Sequence, residues 1–139
     1  MTGVEDLLQQ GLITPFDATS QEIGNSIRLA ERDLCVAKET SDTDWAFNIA
    51  YNALLQAGRA WMLSKGYRPT GETGHVAVVR FVEATLGRER GNIALFDSMR
   101  RKRHRAVYDE PGTISQQDVR SAITAASGFL ELVRKKTGL

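Results

Sequence analysis

The sequence has 139 residues, of which 42% are hydrophobic and 25% charged, a composition that is typical of a folded globular domain and argues against disorder. Its most apolar stretch, Ala53 to Leu63, is interrupted by Gln56 and Arg59, so no segment approaches the about 18 apolar residues that span a membrane. No basic region followed by an apolar core opens the sequence, so we expect no signal peptide and a cytoplasmic protein. The single cysteine excludes an intramolecular disulfide.

Apolar residues recur at helical spacing along most of the chain, and no segment alternates with period two between turn residues, so the pattern predicts helices and no strands. The expected fold class is all-α: an antiparallel bundle of four main helices plus a short additional helix, in a single domain over residues 1–139. Residues 1–16 form its short N-terminal helix and loop, and Tyr67 to Gly74 form a loop. The predicted helices run from Val4 to Gln10, from Asp17 or Thr19 to about Lys38, from Ser41 or Asp42 to Gly66, from His75 to Leu86, from Asn92 to near Tyr108, and from Ser115 to Lys136.

The segment from Arg100 to Arg105, RRKRHR, concentrates positive charge on the fifth predicted helix. Five of its six residues are Arg or Lys, and without them the formal net charge of +1 would be −4. Such a local patch on a mildly acidic body can bind phosphate groups. It can equally be a solvated helix end, where cations interact favourably with the helix dipole.

Arg103 lies in line with apolar residues on this helix. Because an Arg on an apolar stripe needs a partner, we expect it to pair with an acid, cap a neighbouring helix, or line a cleft at a subunit interface. His104 and Tyr108 are four residues apart, so their rings would stack on one helix face. The stripe, in steps of three or four, consists of Ile93, Phe96, Met99, Arg103 and Val107.

Two segments together resemble a known family. The hexapeptide from Arg103 to Tyr108, RHRAVY, is similar to the signature of HEPN domains (higher eukaryotes and prokaryotes nucleotide-binding). The segment from Ala50 to Ala60, AYNALLQAGRA, resembles a helix found in many bacterial members when it is followed by LSKGY, as it is here at Leu63 to Tyr67. The Gly74-His75 pair that begins the fourth predicted helix fits the same pattern. The resemblance covers roughly residues 42–136.

The resemblance implies a small helical bundle that acts as a homodimer on RNA or a nucleotide. Many members are metal-independent endoribonucleases of toxin–antitoxin or defence type, in which an Arg holds the scissile phosphate and a His moves a proton. Carried over to this sequence, the candidate catalytic residues are Arg103, His104 and Tyr108. The candidate phosphate- or RNA-binding residues are Arg100, Arg101, Lys102, Arg105 and His75.

The usual Arg-x4–6-His motif is degenerate in this sequence. Four residues follow Arg103, and the terminal position is occupied by Tyr108 rather than His. With a reference pKa of about 10, a tyrosine is a poor general base at neutral pH, although its hydroxyl can orient a phosphate. A histidine has a reference pKa of about 6.5, but His104 stands at the second position of the motif, which is normally a polar residue. Ribonuclease activity is therefore left open.

Three functions from different classes agree with the sequence. The first is an RNA- or nucleotide-binding protein with possible ribonuclease activity. The second is a non-catalytic binding module that partners a minimal nucleotidyltransferase or another protein, with Tyr108 as the candidate for nucleotide modification. The third is a plain helical bundle whose basic patch only aids solubility. The two histidines and the cysteine are widely separated, so we expect no metal site and no cofactor.

Overall fold

The computed structural model describes residues 3–71, 74–87 and 92–139, with side chains from residue 94 onward in the last range. Helices account for most of these residues, which confirms the all-α fold class. The predicted helices agree with the observed ones to within a few residues. The elements are α1 (Val4–Gln9), β1 (Ile13–Pro15), α2 (Ser20–Glu39), α3 (Thr43–Ser64), β2 (Tyr67–Pro69), α4 (Gly74–Leu86), α5 (Asn92–His104), a π-helical segment (Arg105–Asp109) and α6 (Gln116–Thr137).

Side-chain caps begin the three long helices. The Thr19 hydroxyl accepts a hydrogen bond from the backbone N–H of Glu22 at the start of α2, and Asp42 accepts one from Trp45 at the start of α3. Ser115 does the same for α6. Each cap satisfies a backbone N–H group that has no partner within its helix.

The prediction that the chain has no strands is wrong at two short segments. β1 and β2 pair antiparallel, with Ile13 opposite Pro69. Each strand has only three residues and contains a proline, so neither shows the alternation by which strands are recognised. Gly66, whose φ of 91° suits glycine, ends α3 and turns the chain into β2. The ribbon fastens the N-terminal segment to the α3–α4 connection.

Helix α3 is central and packs against α2, α4, α5 and α6. Its small residues let α4 come close: a Cβ atom built on Gly58 would lie 2.6 Å from Cγ1 of Val78. On the same side, the Phe96 ring of α5 packs edge-on against Phe129 of α6, with ring centroids 5.0 Å apart. Because α4 carries His75 and α5 carries Arg103, this packing sets the positions of both residues. The largest fully buried side chains are Phe81, Phe96, Leu7, Ile13, Leu54, Met62, Val82 and Val133.

The end of α5 departs from the predicted apolar stripe. Phe96 and Met99 are buried as expected, but Val107 is 44% exposed and Ala106 is buried in its place. The backbone N–H of Glu110 donates to the carbonyl of Arg105 at 2.6 Å, which is the i→i+5 bond of a π-helical turn. The side chain of Ile93, also predicted to lie on the stripe, is outside the described residues. None of the described helices is both long and apolar enough to cross a lipid bilayer.

Candidate functional site

Arg103 has two partners on α3, and neither is an acid. Its Nε–H donates a hydrogen bond of 2.6 Å to the side-chain oxygen of Asn48, and its guanidinium carbon lies 5.7 Å from the ring centroid of Tyr51. Both contacts orient the guanidinium group without neutralising it. Within the part of the chain that the structure describes, the two Nη nitrogens of Arg103 make no hydrogen bond. The positive charge that the sequence placed on an apolar stripe is therefore held in position with its terminal donors free.

A cavity of about 500 Å³ opens beside Arg103 and is called here the arginine cavity. Arg100 and Arg103 of α5 both line it, and His75 lines it from α4. Arg100 is paired with Asp97, but at 3.4 Å and with both side chains substantially exposed, which makes a weak ion pair. The residues that line the arginine cavity are Tyr51, His75, Val76, Val79, Arg80, Glu83, Asp97, Arg100 and Arg103.

A second, smaller cavity of about 190 Å³ adjoins the first and is called here the aspartate cavity. Tyr51, His75 and Arg103 line both cavities, so these three side chains form the wall between them. The remaining residues around the aspartate cavity come from α2 and α3. They are Asp33, Asn48, Ile49, Asn52 and Leu55.

Asp33 is a buried carboxylate that the sequence analysis missed. It is only 6% exposed. Its Oδ2 accepts a 2.7 Å hydrogen bond from the side-chain nitrogen of Asn52, and its Oδ1 accepts from Nε and Nη2 of Arg32. Its spacing in the sequence could have identified it, because Asp33 lies three residues after Ala30 and four before Ala37, on the buried face of α2. It interrupts that face as Arg103 interrupts the apolar face of α5.

The two ring side chains in the shared wall favour their neutral forms at neutral pH. Partial desolvation in the cavity lowers the pKa of His75 below 6.5, and the positive charges of Arg103 and Arg59 lower it further. Burial raises the pKa of the Tyr51 phenol above 10.0, against the opposing effect of Arg103 and Arg100. A neutral imidazole can accept a proton, so the wall combines one fixed cation, Arg103, with a proton acceptor, His75.

Most of the other predicted site residues lie outside the two cavities, around a depression on the surface of α5. His104, Arg101 and Arg105 surround a surface depression of about 490 Å³, which Arg100 also lines. The rings of His104 and Tyr108 share one helix face as expected, with centroids 4.8 Å apart, but their planes are tilted by 44° and are not stacked. Tyr108 itself is 66% exposed and lines neither the arginine cavity nor the aspartate cavity.

Lys102 is engaged in a contact between helices. Its Nζ donates to Asp118 at 2.8 Å, and Asp118 also accepts from the backbone N–H of Ser115 in the cap of α6. The hydrogen bond from Lys102 is the main reason that the pKa of Asp118 lies below 3.8. This cation therefore fastens α5 to the start of α6. Among the described residues, no group of three or more His, Cys, Asp or Glu side chains is placed to hold a metal ion.

Comparison with known protein families finds one match: the family model described as "HEPN domain" matches residues 24–136. No match was found among the curated proteins or among the solved structures. The matched span runs from within α2 to near the end of α6. It includes every residue that lines the arginine cavity and the aspartate cavity.

Proposed function

This chain belongs to the HEPN domain family, and from that premise we propose that it binds RNA or a nucleotide, with a phosphate group held in the arginine cavity. The observation that carries the proposal is the state of Arg103: a guanidinium group that is oriented but not neutralised, beside Arg100 in one cavity. Membership of the family supports a nucleotide-binding or ribonuclease type of domain.

The contacts of Arg103 suit it to a phosphate. Because Asn48 occupies Nε, the two Nη nitrogens remain for a bidentate interaction with two phosphate oxygens. The Tyr51 face and the Asn48 amide hold the group in place before the ligand arrives, which reduces the entropy lost on binding. Arg100 can exchange its weak pairing with Asp97 for the more strongly charged phosphate.

We place this function in a cytoplasmic homodimer. Support for a subunit interface comes from exposed large hydrophobic side chains at one end of the bundle, Trp45, Val107 and Tyr108. The backbone N–H of Gly112 donates to the carboxylate of Asp44 at 2.7 Å, which brings the segment after the π-helical turn against the start of α3. These apolar side chains would gain from burial against a second copy.

Titration of the purified protein with ATP and with a short single-stranded RNA, in EDTA, tests the proposal. We expect saturable binding of both, weakening as salt is raised because phosphate contacts release counterions. If neither ATP nor the RNA binds saturably at low salt, the proposal is contradicted.

A second candidate function, metal-independent RNA cleavage of toxin or defence type, is favoured by the neutral His75 beside Arg103. In such a reaction His75 takes the proton from a ribose 2′-hydroxyl, the 2′-oxygen bonds to phosphorus, and the bond from phosphorus to the 5′-oxygen breaks. The products are a 2′,3′-cyclic phosphate and, once a proton is supplied to the leaving oxygen, a 5′-hydroxyl. Within one subunit, Tyr108 lies outside the arginine cavity, so His75 is the imidazole that accompanies Arg103.

An RNA-cleavage assay in EDTA with single variants tests this second function. We expect His75→Gln and Arg103→Ala to lose cleavage by at least about 100-fold, the usual contribution of a general base, and His104→Gln to retain it. Loss in His104→Gln with retention in His75→Gln would move the proton-transfer role to the exposed histidine. Equal cleavage by all four proteins would indicate a contaminant, and no cleavage by the wild type would leave binding as the function.

The non-catalytic module remains the alternative to cleavage. Tyr108 is 66% exposed, so its hydroxyl is accessible to a partner such as a minimal nucleotidyltransferase. In that case the nucleotide would be attached at Tyr108, at a distance from the arginine cavity.

A further inference from the structure

Asp33 has no role in binding a phosphate, yet its burial requires an explanation. An ionised carboxylate removed from water is costly unless it is paired and hydrogen-bonded. The cation beside it, Arg32, has a side chain that is 63% exposed, and a solvated cation compensates little. The hydrogen bond from Asn52 joins α2 to α3 but leaves the carboxylate facing a cavity.

The hydrogen bonds around Asp33 leave room for one more donor. A carboxylate offers about four acceptor positions. Oδ1 receives two N–H groups from Arg32 and Oδ2 receives one from Asn52. One position on Oδ2 therefore remains, in a cavity that is also lined by the polar side chains of Asn48, Asn52, Tyr51, His75 and Arg103. The aspartate cavity is thus suited to a small polar group that donates hydrogen bonds.

The position of the cavity identifies that group. Arg103 forms part of the wall between the two cavities, so a phosphate held by its Nη nitrogens has its next chemical group beside the aspartate cavity. In RNA and in nucleotides the group bonded to the phosphate is the ribose, whose hydroxyls are donors. At about 190 Å³, the cavity has the volume of about six water molecules at ~30 Å³ each, which suits a sugar better than a whole nucleoside.

We propose that the aspartate cavity is a ribose subsite, in which Asp33 accepts a hydrogen bond from the 2′-hydroxyl of the ribose that is joined through its 5′-oxygen to the phosphate bound by Arg103. The inference rests on the proposed function and names the substrate class of that site: ribonucleotides rather than deoxyribonucleotides. The 2′-hydroxyl is the group by which a protein distinguishes RNA from DNA. Asn52 positions the carboxylate, and His75 and Tyr51 line the passage between phosphate and sugar.

The test compares three single-stranded tetranucleotides of one sequence, in EDTA: RNA, DNA with deoxyuridine in place of thymidine, and RNA with 2′-fluorine in place of each 2′-hydroxyl. The fluorinated strand keeps an RNA-like sugar pucker but cannot donate. A hydrogen bond to a charged group contributes about 1.5–3 kcal/mol, so the wild type should bind RNA about 10- to 100-fold more tightly than either of the other strands. In Asp33→Asn the preference should fall towards one, while Glu39→Gln, which removes an exposed acid of the same helix, should keep it.

Equal affinity of the wild type for RNA and for the fluorinated strand would overturn the ribose subsite without any variant. A preference that is unchanged in Asp33→Asn, with an unchanged melting temperature, would overturn the role of Asp33. If all three strands bind equally, phosphate binding in the arginine cavity is supported and the ribose subsite is contradicted. If no strand binds, the proposed function itself fails and the subsite fails with it.

Discussion

Arg103→Ala is expected to weaken the binding of ATP and of short RNA by about 100-fold or more. The variant removes hydrogen bonds between charged groups, each contributing about 1.5–3 kcal/mol, from a guanidinium group that Asn48 and Tyr51 hold in place. Arg101→Ala is the matched control, since Arg101 is an exposed neighbour on the same helix. An exposed charge contributes about 1 kcal/mol or less, so this control should lose no more than about fivefold.

Calorimetric titration of both variants in EDTA, with melting temperatures recorded beside the wild type, measures the difference. Both variants remove one positive charge from the same helix, so a difference between them reports position rather than net charge. Equal losses of affinity in the two variants would mean that the basic segment acts only through its bulk charge. That result would favour the solvated-patch interpretation over a defined site.

Gly58→Ala is expected to destabilise the protein by about 1–3 kcal/mol. Alanine normally stabilises a helix relative to glycine by about 0.5–1 kcal/mol, but here the new Cβ would lie 2.6 Å from Cγ1 of Val78. Valine is stiff at χ1, so α4 must shift away from α3, and overpacking of this kind has the stated cost. Because α4 carries His75, the shift should also disturb the wall between the two cavities.

Gly128→Ala is the matched control, for which we expect stabilisation rather than destabilisation. Gly128 lies inside α6, and a Cβ atom added there meets nothing within 4 Å. This variant should be stabilised by about 0.5–1 kcal/mol. Urea denaturation of both variants measures the change in the free energy of unfolding, which should be a decrease for Gly58→Ala and an increase for Gly128→Ala. Stabilisation by Gly58→Ala would contradict the close contact of α3 with α4 that positions the site.

The sequence predicted the helices well because each long helix combines an apolar period with a capping residue. It could not predict the pairing of β1 with β2, because three residues give no alternation to detect. The π-helical segment was missed for a different reason. A stripe drawn at 3.6 residues per turn placed Val107 inward, whereas in the π-helical segment Ala106 is buried and Val107 is exposed.

For the candidate site, the spacing of the sequence identified Arg103 as a charged residue on an apolar helix face, but it could not predict which residues Arg103 contacts. The structure shows no acid paired with Arg103 among the described residues and places it beside the arginine cavity. Its partners Asn48 and Tyr51 are more than 50 positions away and depend on how α5 lies against α3. Asp33 carries the same signal on α2, where a carboxylate stands on the buried face between Ala30 and Ala37.

The titration of His75, followed by NMR with and without ligand, tests the central claim most directly. The chain contains only two histidines, so a His104→Gln variant assigns both signals. In the free protein the pKa of His75 should lie below 6.5, as desolvation and Arg103 dictate. With ATP or RNA bound, the pKa of His75 should rise, because a nearby phosphate favours the imidazolium form. Saturable binding that leaves the pKa of His75 unchanged would place the phosphate elsewhere and contradict the account.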